Sequence, residues 1–536
     1  MYMIFAISVV ITWVYYFFLF QSWGILLLQI LNRNHTSRKE YPVLRITTTN
    51  ILGMIFLTAL ISVLNIFFKI DFPIRLLVSL NIAIFYKSLY RTALIIISEI
   101  KYLLKNRPVL FCFFTIPVFL LLTSLSMPIL TYDTGLYHAQ SVKYITEFKL
   151  ILGLANIHCR LGFNSNLFVL QSALVIIDYK YIINSYLILL LSLNTVFHAN
   201  KRNKSLFLAN IASICFIFLF FFFNINGLSN DVFATILGVI LIDLLLTNEK
   251  DYSFNNQLPI LITSYLITIK LSAVVFGILI IYLLVKNRNK LIYGMLLSAL
   301  IIAPWLVRNI MISGYLIFPY PQVDLFNLQY KVPKETAYET FYDIKNWART
   351  GTTMSMPFIE WVKTWSSNFQ YIDIVSLLSL SLLFLVIFHM IIYNRKNHDF
   401  LIYCCIGVVG IFFWFFTAPD TRFGMVYFVY STYLSTYYIF KNIRKSSDVK
   451  IVYTLTLVSY FLISLISDVG IWNQYRNENI NYYPEVYTES LSNGISINVL
   501  EKGDQCWYTP LPCTYKVNTG LKLIGTTLED GFKIDK

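Results

Sequence analysis

VLFCFFTIPVFLLLTSLSMPIL, residues Val109 to Leu130, runs directly into Thr131-Tyr132-Asp133-Thr134-Gly135-Leu136-Tyr137-His138. The first stretch is apolar and long enough to cross a bilayer, and the second is polar from its first residue. An acid at the mouth of a membrane span is costly to place and therefore invites a use. Outward from this point, apolar runs of about 18 residues or more recur along nearly the whole chain. The 536 residues are 57% hydrophobic and 13% charged. This pattern predicts an all-α polytopic membrane protein with about 12–14 transmembrane helices, and excludes a soluble enzyme. The first run, Met3 to Leu31, has no basic residue before it. It also exceeds the roughly 7–15 residue core of a signal peptide, so it reads as a retained span.

A net charge of +14 could suggest nucleic acid, but the cations fall in short clusters between apolar runs. Arg33/Arg38/Lys39/Arg45, Lys101/Lys105/Arg107, Lys201/Arg202/Lys204, Lys286/Arg288/Lys290, Arg395/Lys396 and Lys441/Arg444/Lys445/Lys450 each mark a cytoplasmic loop by the positive-inside rule. No nucleic-acid partner is expected. Of seven cysteines, Cys506 and Cys513 are the only pair placed to bridge. An oxidising outer compartment would permit that loop.

Pinning the basic loops inside gives a path of consistent parity. Met3–Leu31 runs inward, Thr48–Phe68 out, Pro73–Ile97 in and Val109–Leu130 out, which leaves Asp133 on the extracytoplasmic side. Lys87 and Arg91 suggest that the third passage ends early and continues as an interfacial amphipathic helix to Arg107. Ile182–Asn200, Ser205–Asn224 and Val232–Thr247 alternate, with Asn164–Asp178 as an outer-leaflet or re-entrant helix before them. Gln257–Val285 has inside-type flanks at both ends and reads as a hairpin of two short helices turning near Lys270. Leu291–Ser313, Ile372–Tyr393, Phe400–Thr417, Met425–Phe440 and Ile451–Ile471 complete the transmembrane domain, residues 1–472. Its outer loops are 131–181, 224–231, 314–371 and 418–424, and residues 473–536 form a small extracytoplasmic C-terminal segment.

The candidate chemistry gathers on those outer loops. Gly135 to Lys149 has amphipathic spacing and is expected along the membrane surface, with Asp133 at its N-terminus, where a helix cap is the competing use. Asp231 opens the span after the second outer loop and invites the same two readings. Asp243, deeper in that span, is more simply a local partner for a cation. Lys270 interrupts an apolar hairpin, and an intramembrane lysine faces a partner or a polar cavity. Arg308 and Arg422 lie at outer turns against the inside bias, where bidentate phosphate binding or an ion pair (Asp420–Arg422, or Asp231 with an arginine) would account for them. Two acids, a lysine and two arginines on one face fit transfer from a phosphate-linked donor. Cations would hold the leaving phosphate while a carboxylate takes a hydroxyl proton. Asp133, Asp231 and His138 are the catalytic candidates; Lys270, Arg308 and Arg422 the phosphate ligands; Tyr137, His158, Arg160 and Asn164 the substrate contacts. A cofactor is not identifiable; if a divalent cation such as Mg or Mn is used, Asp133 and Asp231 are the acids that would share it.

The pattern Tyr132-Asp133, Asn230-Asp231, Thr268-Ile269-Lys270 and the Pro419–Arg422 turn resembles the GT-C superfamily of membrane glycosyltransferases. Gly153-Leu154-Ala155-Asn156, His158, Arg160, Gly162-Phe163-Asn164-Ser165 and the tail Cys506-Trp507 with Leu511-Pro512-Cys513 look like a bacterial surface-polysaccharide subgroup. The resemblance implies a GT-C-like fold in the bacterial inner membrane and a polyprenyl-phosphate-linked sugar donor. It further implies inverting transfer to an extracytoplasmic glycan or lipid-linked acceptor, with Asp133 as base or metal-positioning acid. At least three spans precede Asp133 here, against one in the best-known members, and the acid is not their paired form, so a metal requirement does not carry over. An O-antigen or capsule polymerase would use the Gly314–Tyr371 loop for two carrier-linked glycans. A lipid-linked oligosaccharide flippase would instead show internal repeats and midplane polar groups, which this chain lacks.

Overall fold

The computed structural model describes residues 2–31, 42–174, 181–247, 257–286, 288, 291–351, 356–393, 397–442, 480–491 and 495–535. The expected last crossing, Ile451–Ile471, lies outside the described residues, as do Arg33, Arg38, Lys39, Lys290, Arg395, Lys396, Arg444, Lys445 and Lys450. The chain is mostly helical. Helices α1 (Tyr2–Ile30) and α2 (Pro42–Phe67) pack antiparallel. Their backbones meet at two glycines, and a Cβ on Gly53 would stand 1.8 Å from the Phe20 carbonyl oxygen. Next come α3 (Phe72–Ile84) and α4 (Tyr86–Asn106), bent by 70° about Phe85. The expected early end of the third passage is this bend, and α4 is the amphipathic continuation, with Leu89, Thr92 and Leu103 on its buried side.

After α5 (Pro108–Leu125), the first loop holds a π-helical turn at Thr134–His138, α6 (Ala139–Glu147) and α7 (Asn166–Leu174). The bundle continues with α8 (Ile183–Asn200), α9 (Lys204–Phe221), α10 (Asn230–Leu246), α11 (Gln257–Ile269), α12 (Gly277–Lys286) and α13 (Leu291–Ser313). The expected hairpin is α11 and α12, broken at an extended Lys270. The Gly314–Tyr371 loop contains α14 (Lys334–Ala348) and α15 (Phe358–Ser367), and α16 (Tyr371–Ile392), α17 (His398–Thr417) and α18 (Thr421–Asn442) follow. The tail carries β1 (Val486–Ser490), β2 (Ser496–Leu500), β3 (Cys513–Thr514), β4 (Leu521–Leu523) and β5 (Phe532–Ile534). Strand β2 pairs antiparallel with β1 and parallel with β3, while β4 and β5 form a separate antiparallel ribbon.

Among the described residues, six helices (α1, α2, α9, α13, α16 and α17) are long and apolar enough to cross a membrane, or seven if the bent α3–α4 pair is one span. That is fewer than the runs of the sequence suggested, and burial supplies the reason. Helix α10 is apolar all round and α18 is rich in tyrosine, and both are buried along nearly their whole length. A helix covered by its neighbours need not match the bilayer in length or composition. By contrast, only a third of the most apolar window is buried in α1, α13 and α16, which form the outside of the bundle. Inside, Asp243 is fully buried with His198 (2.9 Å), Asn210 (2.8 Å), Tyr433 (2.6 Å) and Asn194 (3.3 Å).

Two ends of the bundle can be told apart. Arg107 donates to the Ala199 carbonyl (3.4 Å), which joins the start of α5 to the end of α8 at an end that also carries Lys201, Arg202, Lys204 and Lys441. At the other end Asn184 donates to the Gly227 carbonyl (3.0 Å), and Asn226 to the carbonyls of Met127 (3.1 Å) and Pro128 (2.8 Å). These bonds brace the second loop against the first, and Gly227 lies so close to Thr131 that a Cβ would fall 2.2 Å from its hydroxyl. One expectation fails here. The inward face of the segment from Gly135 to Lys149 is covered by protein and not left to a membrane surface: Gly135, Tyr137, His138, Gln140, Val142, Tyr144 and Ile145 are buried between bundle and tail.

Candidate active site

Asp133 precedes the π-helical turn, yet its side chain makes no capping bond there. Its carboxylate turns instead to Arg422, Oδ2 standing 2.9 Å from Nη1. Asp231 does not cap α10 either; Ser229 does, accepting from the Val232 amide. Asp231 pairs with Lys270 through one carboxylate oxygen, and its other oxygen is 3.3 Å from Arg422 Nε. Carboxylate, guanidinium, carboxylate and ammonium thus alternate in one chain, Asp133–Arg422–Asp231–Lys270.

Each member is placed by identifiable local structure. Asn230 and the Ile269 carbonyl are tied together by the Ser165 hydroxyl (3.2 and 2.8 Å), and Asn166 donates to Thr268 (2.9 Å). The first loop therefore fixes the Lys270 break. Arg422 follows the Ala418–Asp420 turn, whose carbonyls at Pro419 and Asp420 accept from Trp365 (2.8 Å) and Trp414 (2.5 Å). Asp420 does not pair with the Arg422 guanidinium; it accepts the Arg422 backbone amide at 2.9 Å. Burial pushes the Asp420 carboxyl above its usual range, with Arg422 opposing. Aromatic rings flank the cations: Arg422 lies 5.4 Å from the Trp347 ring and 5.2 Å from Phe423, and Lys270 lies 4.8 Å from Phe423.

The chain of charges lines a cavity of about 830 Å³, together with His138, Tyr137, His158, Arg160 and Asn164. Nine of the ten residues singled out in the sequence thus share one cavity. The tenth, Arg308, does not reach it. Its guanidinium is buried (1% exposed) and donates to Asn65 (2.8 Å) and Asn164 (3.4 Å). Arg308 therefore acts on the site only through Asn164, which also accepts from the Trp305 indole through its backbone carbonyl (2.7 Å). His138 is packed against Tyr137 (4.3 Å) and Phe168 (4.9 Å), and burial pushes its imidazole down to about 4, so it is neutral at physiological pH. Burial, reinforced by Arg160, pushes His158 down to about 3; its Nδ1 accepts the Arg160 amide at 3.2 Å.

A metal ion between the two acids does not fit this arrangement, because Arg422 occupies the space they share. Among the described residues no group of three or more His, Cys, Asp or Glu could hold one. The walls that the sequence did not single out are aromatic or distant in the chain. Trp347 and Phe341 come from α14, Trp414 and Phe413 from α17, and Asp504 and Tyr515 from the tail. Only the tail motif Cys506-Trp507 hinted at this last contribution. The Cys506–Cys513 disulfide is formed, and within its loop Trp507 donates its amide to the Gly135 carbonyl (2.9 Å). Gln140 donates to the carbonyls of Trp507 (2.8 Å) and Thr509 (3.1 Å), and the Tyr132 hydroxyl bonds Asp504.

The chain belongs to the family described as a domain of unknown function, DUF8201, whose model matches residues 6–429. The match takes in the whole Asp133–Arg422–Asp231–Lys270 chain and stops short of the tail. No curated protein and no solved structure matches the chain.

Proposed function

We propose that this protein is an inverting membrane glycosyltransferase that moves a sugar from a polyprenyl-phosphate carrier to an extracytoplasmic glycan or lipid-linked acceptor in cell-surface polysaccharide synthesis. The observation that carries the reading is the alternating chain of charges lining one 830 Å³ cavity. The cavity opens at the end of the bundle away from the basic loops, which supports an extracytoplasmic site. Leu271, Phe413, Trp414 and Phe423 give it an apolar side suited to the carrier's hydrocarbon.

The chemistry follows from exchange of partners. A donor phosphate entering between Arg422 and Lys270 competes with the carboxylates for both cations. Arg422 then turns towards the phosphate and releases Asp133 to accept the proton of the acceptor hydroxyl. The acceptor oxygen bonds the sugar's anomeric carbon as the carbon–oxygen bond to phosphate breaks. That electron pair leaves on the phosphate, whose growing charge the two cations stabilise. Asp231 does not touch the reacting atoms in this scheme; it holds Lys270 and Arg422 in place. A separate cavity of about 260 Å³ at the basic end, lined by His198, Lys201 and Lys441 among others, shares no lining residue with the first. That separation favours an enzyme over a carrier.

Purified protein in lipid nanodiscs, supplied with radiolabelled polyprenyl-phosphate sugar and membrane extract as acceptor, should form labelled glycan. Asp133→Asn should abolish the product while the protein still reaches the membrane in normal amount. Full activity in that variant would overturn the role given to Asp133.

A further inference from the structure

The ionised groups of the cavity divide into two sets. Asp133, Arg422, Asp231 and Lys270 neutralise one another. Arg160 stands outside that balance: among the described residues its guanidinium has no carboxylate partner and meets only the Phe163 ring, 5.3 Å away. Lys345, also on the wall, lies over the Phe341 ring (5.3 Å) and likewise has no ion pair. The two remaining carboxylates on the wall are less available to these cations. Asp504 is engaged by the Tyr132 hydroxyl, and Asp343 is exposed.

Arg160 is also held for the purpose. His158 is buried, and because its Nδ1 accepts the Arg160 amide, its proton is on Nε2. That Nε2–H has no acceptor among the described residues, and the half-exposed Tyr515 ring stands edge-on to the imidazole at 5.2 Å. A guanidinium without a counter-ion beside an unused donor is a site for an oxyanion. Arg160 lines the same cavity as Asp133 and Arg422, so it shares their neighbourhood.

We infer that Arg160, with His158 and Tyr515, binds a second oxyanion, carried by the acceptor, while the donor phosphate occupies Lys270 and Arg422. The inference rests on the transferase reading and narrows the acceptor to a molecule with its own phosphate or sugar carboxylate near the reacting hydroxyl.

Binding to the intact protein in nanodiscs tests it, with polyprenyl phosphate and a soluble uronic-acid oligosaccharide as separate probes, read by quenching of the cavity tryptophans. If the acceptor's oxyanion is a carrier phosphate, wild type binds two polyprenyl phosphates and Arg160→Gln binds one. If it is a carboxylate, wild type binds one polyprenyl phosphate and also the uronate. Arg160→Gln then weakens uronate binding by roughly tenfold to a hundredfold, and Arg160→Lys by less. In either case Arg422→Gln weakens the donor phosphate site. Arg160→Gln leaving both probes unchanged, with Arg422→Gln still weakening polyprenyl phosphate, would overturn the inference and spare the transferase reading. Absence of polyprenyl phosphate binding to wild type would overturn the reading itself.

Discussion

A guanidinium shared by two carboxylates, as Arg422 is by Asp133 and Asp231, leaves each acid dependent on the other's geometry. Lys270 adds a fourth member that is mostly buried, at 13% exposure. Removing one charge from such a pair costs more than removing both, because the survivor is left uncompensated, by roughly 3–5 kcal/mol where burial is complete. Asp231→Asn and Lys270→Met should each lower the melting temperature in detergent, and the double variant should recover much of the loss without recovering transfer. Additive single effects would argue against the coupling. The two buried imidazoles set a pH dependence of definite sign. His138 and His158 hold values of about 4 and 3, against the ordinary 6.5 or so that unfolding restores. Below about pH 6.5 the unfolded chain takes up protons that the folded one refuses, so stability falls with pH until about 4 and 3 respectively. Melting temperatures measured from pH 7.5 to 4.5 should decline, and His138→Leu should flatten the curve; parallel curves would refute the assignment. Asp133, Asp231, Lys270 and Arg422 were legible in the sequence because charge at the mouth of an apolar run has few cheap explanations. Arg308 obeyed the same pattern and serves the core instead, since no spacing reports that a guanidinium turns inward to two asparagines.

Elements of very different sequence separation meet at Gly135. A Cβ there would fall 2.3 Å from the Trp507 ring. Gly135→Val should therefore unseat the tail, read as faster proteolysis within residues 480–535 and loss of transfer. Trp507→Ala in the same chain should add little further. The Cys506–Cys513 loop presents Trp507 and Thr509 to α6. Closing so short a loop is worth about 2–3 kcal/mol through the unfolded chain. Cys506→Ser should lower the melting temperature under non-reducing conditions, and reductant should reproduce the shift in wild type. The first loop was readable as polar and amphipathic, but an amphipathic face fits a membrane surface and a protein partner equally well. Only the tail's position decides between them. Trp347 was unreadable for a related reason: α14 supplies it from a long loop whose own sequence gives no register to the bundle.

At the level of the whole molecule, the order of helices was largely legible because basic loops and apolar runs alternate. The count of long spans was not. Helices such as α10 and α18 are covered by neighbours, so their apolar length reports the interior rather than the bilayer. The Asp243 cluster is the interior's most polar point and lies towards the end opposite Asp133. Asp243→Ala would strand four donors (His198, Asn210, Tyr433 and Asn194) and should destabilise the fold by roughly 3–5 kcal/mol. Transfer per folded molecule should be unchanged. A selective loss of activity at full stability would instead mean that the basic end communicates with the cavity.

The seam between tail and first loop joins residues made early to residues made late: Trp507 to Gly135, Asp504 to Tyr132, and Asn518 to the Asn156 carbonyl at 2.7 Å. A ribosome that has made every helix up to α18 has still not built the wall that carries Asp504 and Tyr515. The pocket is finished only when that last stretch has been made and its disulfide closed. Premature stops would thus leave chains that hold the charge chain but lack part of the cavity wall around it.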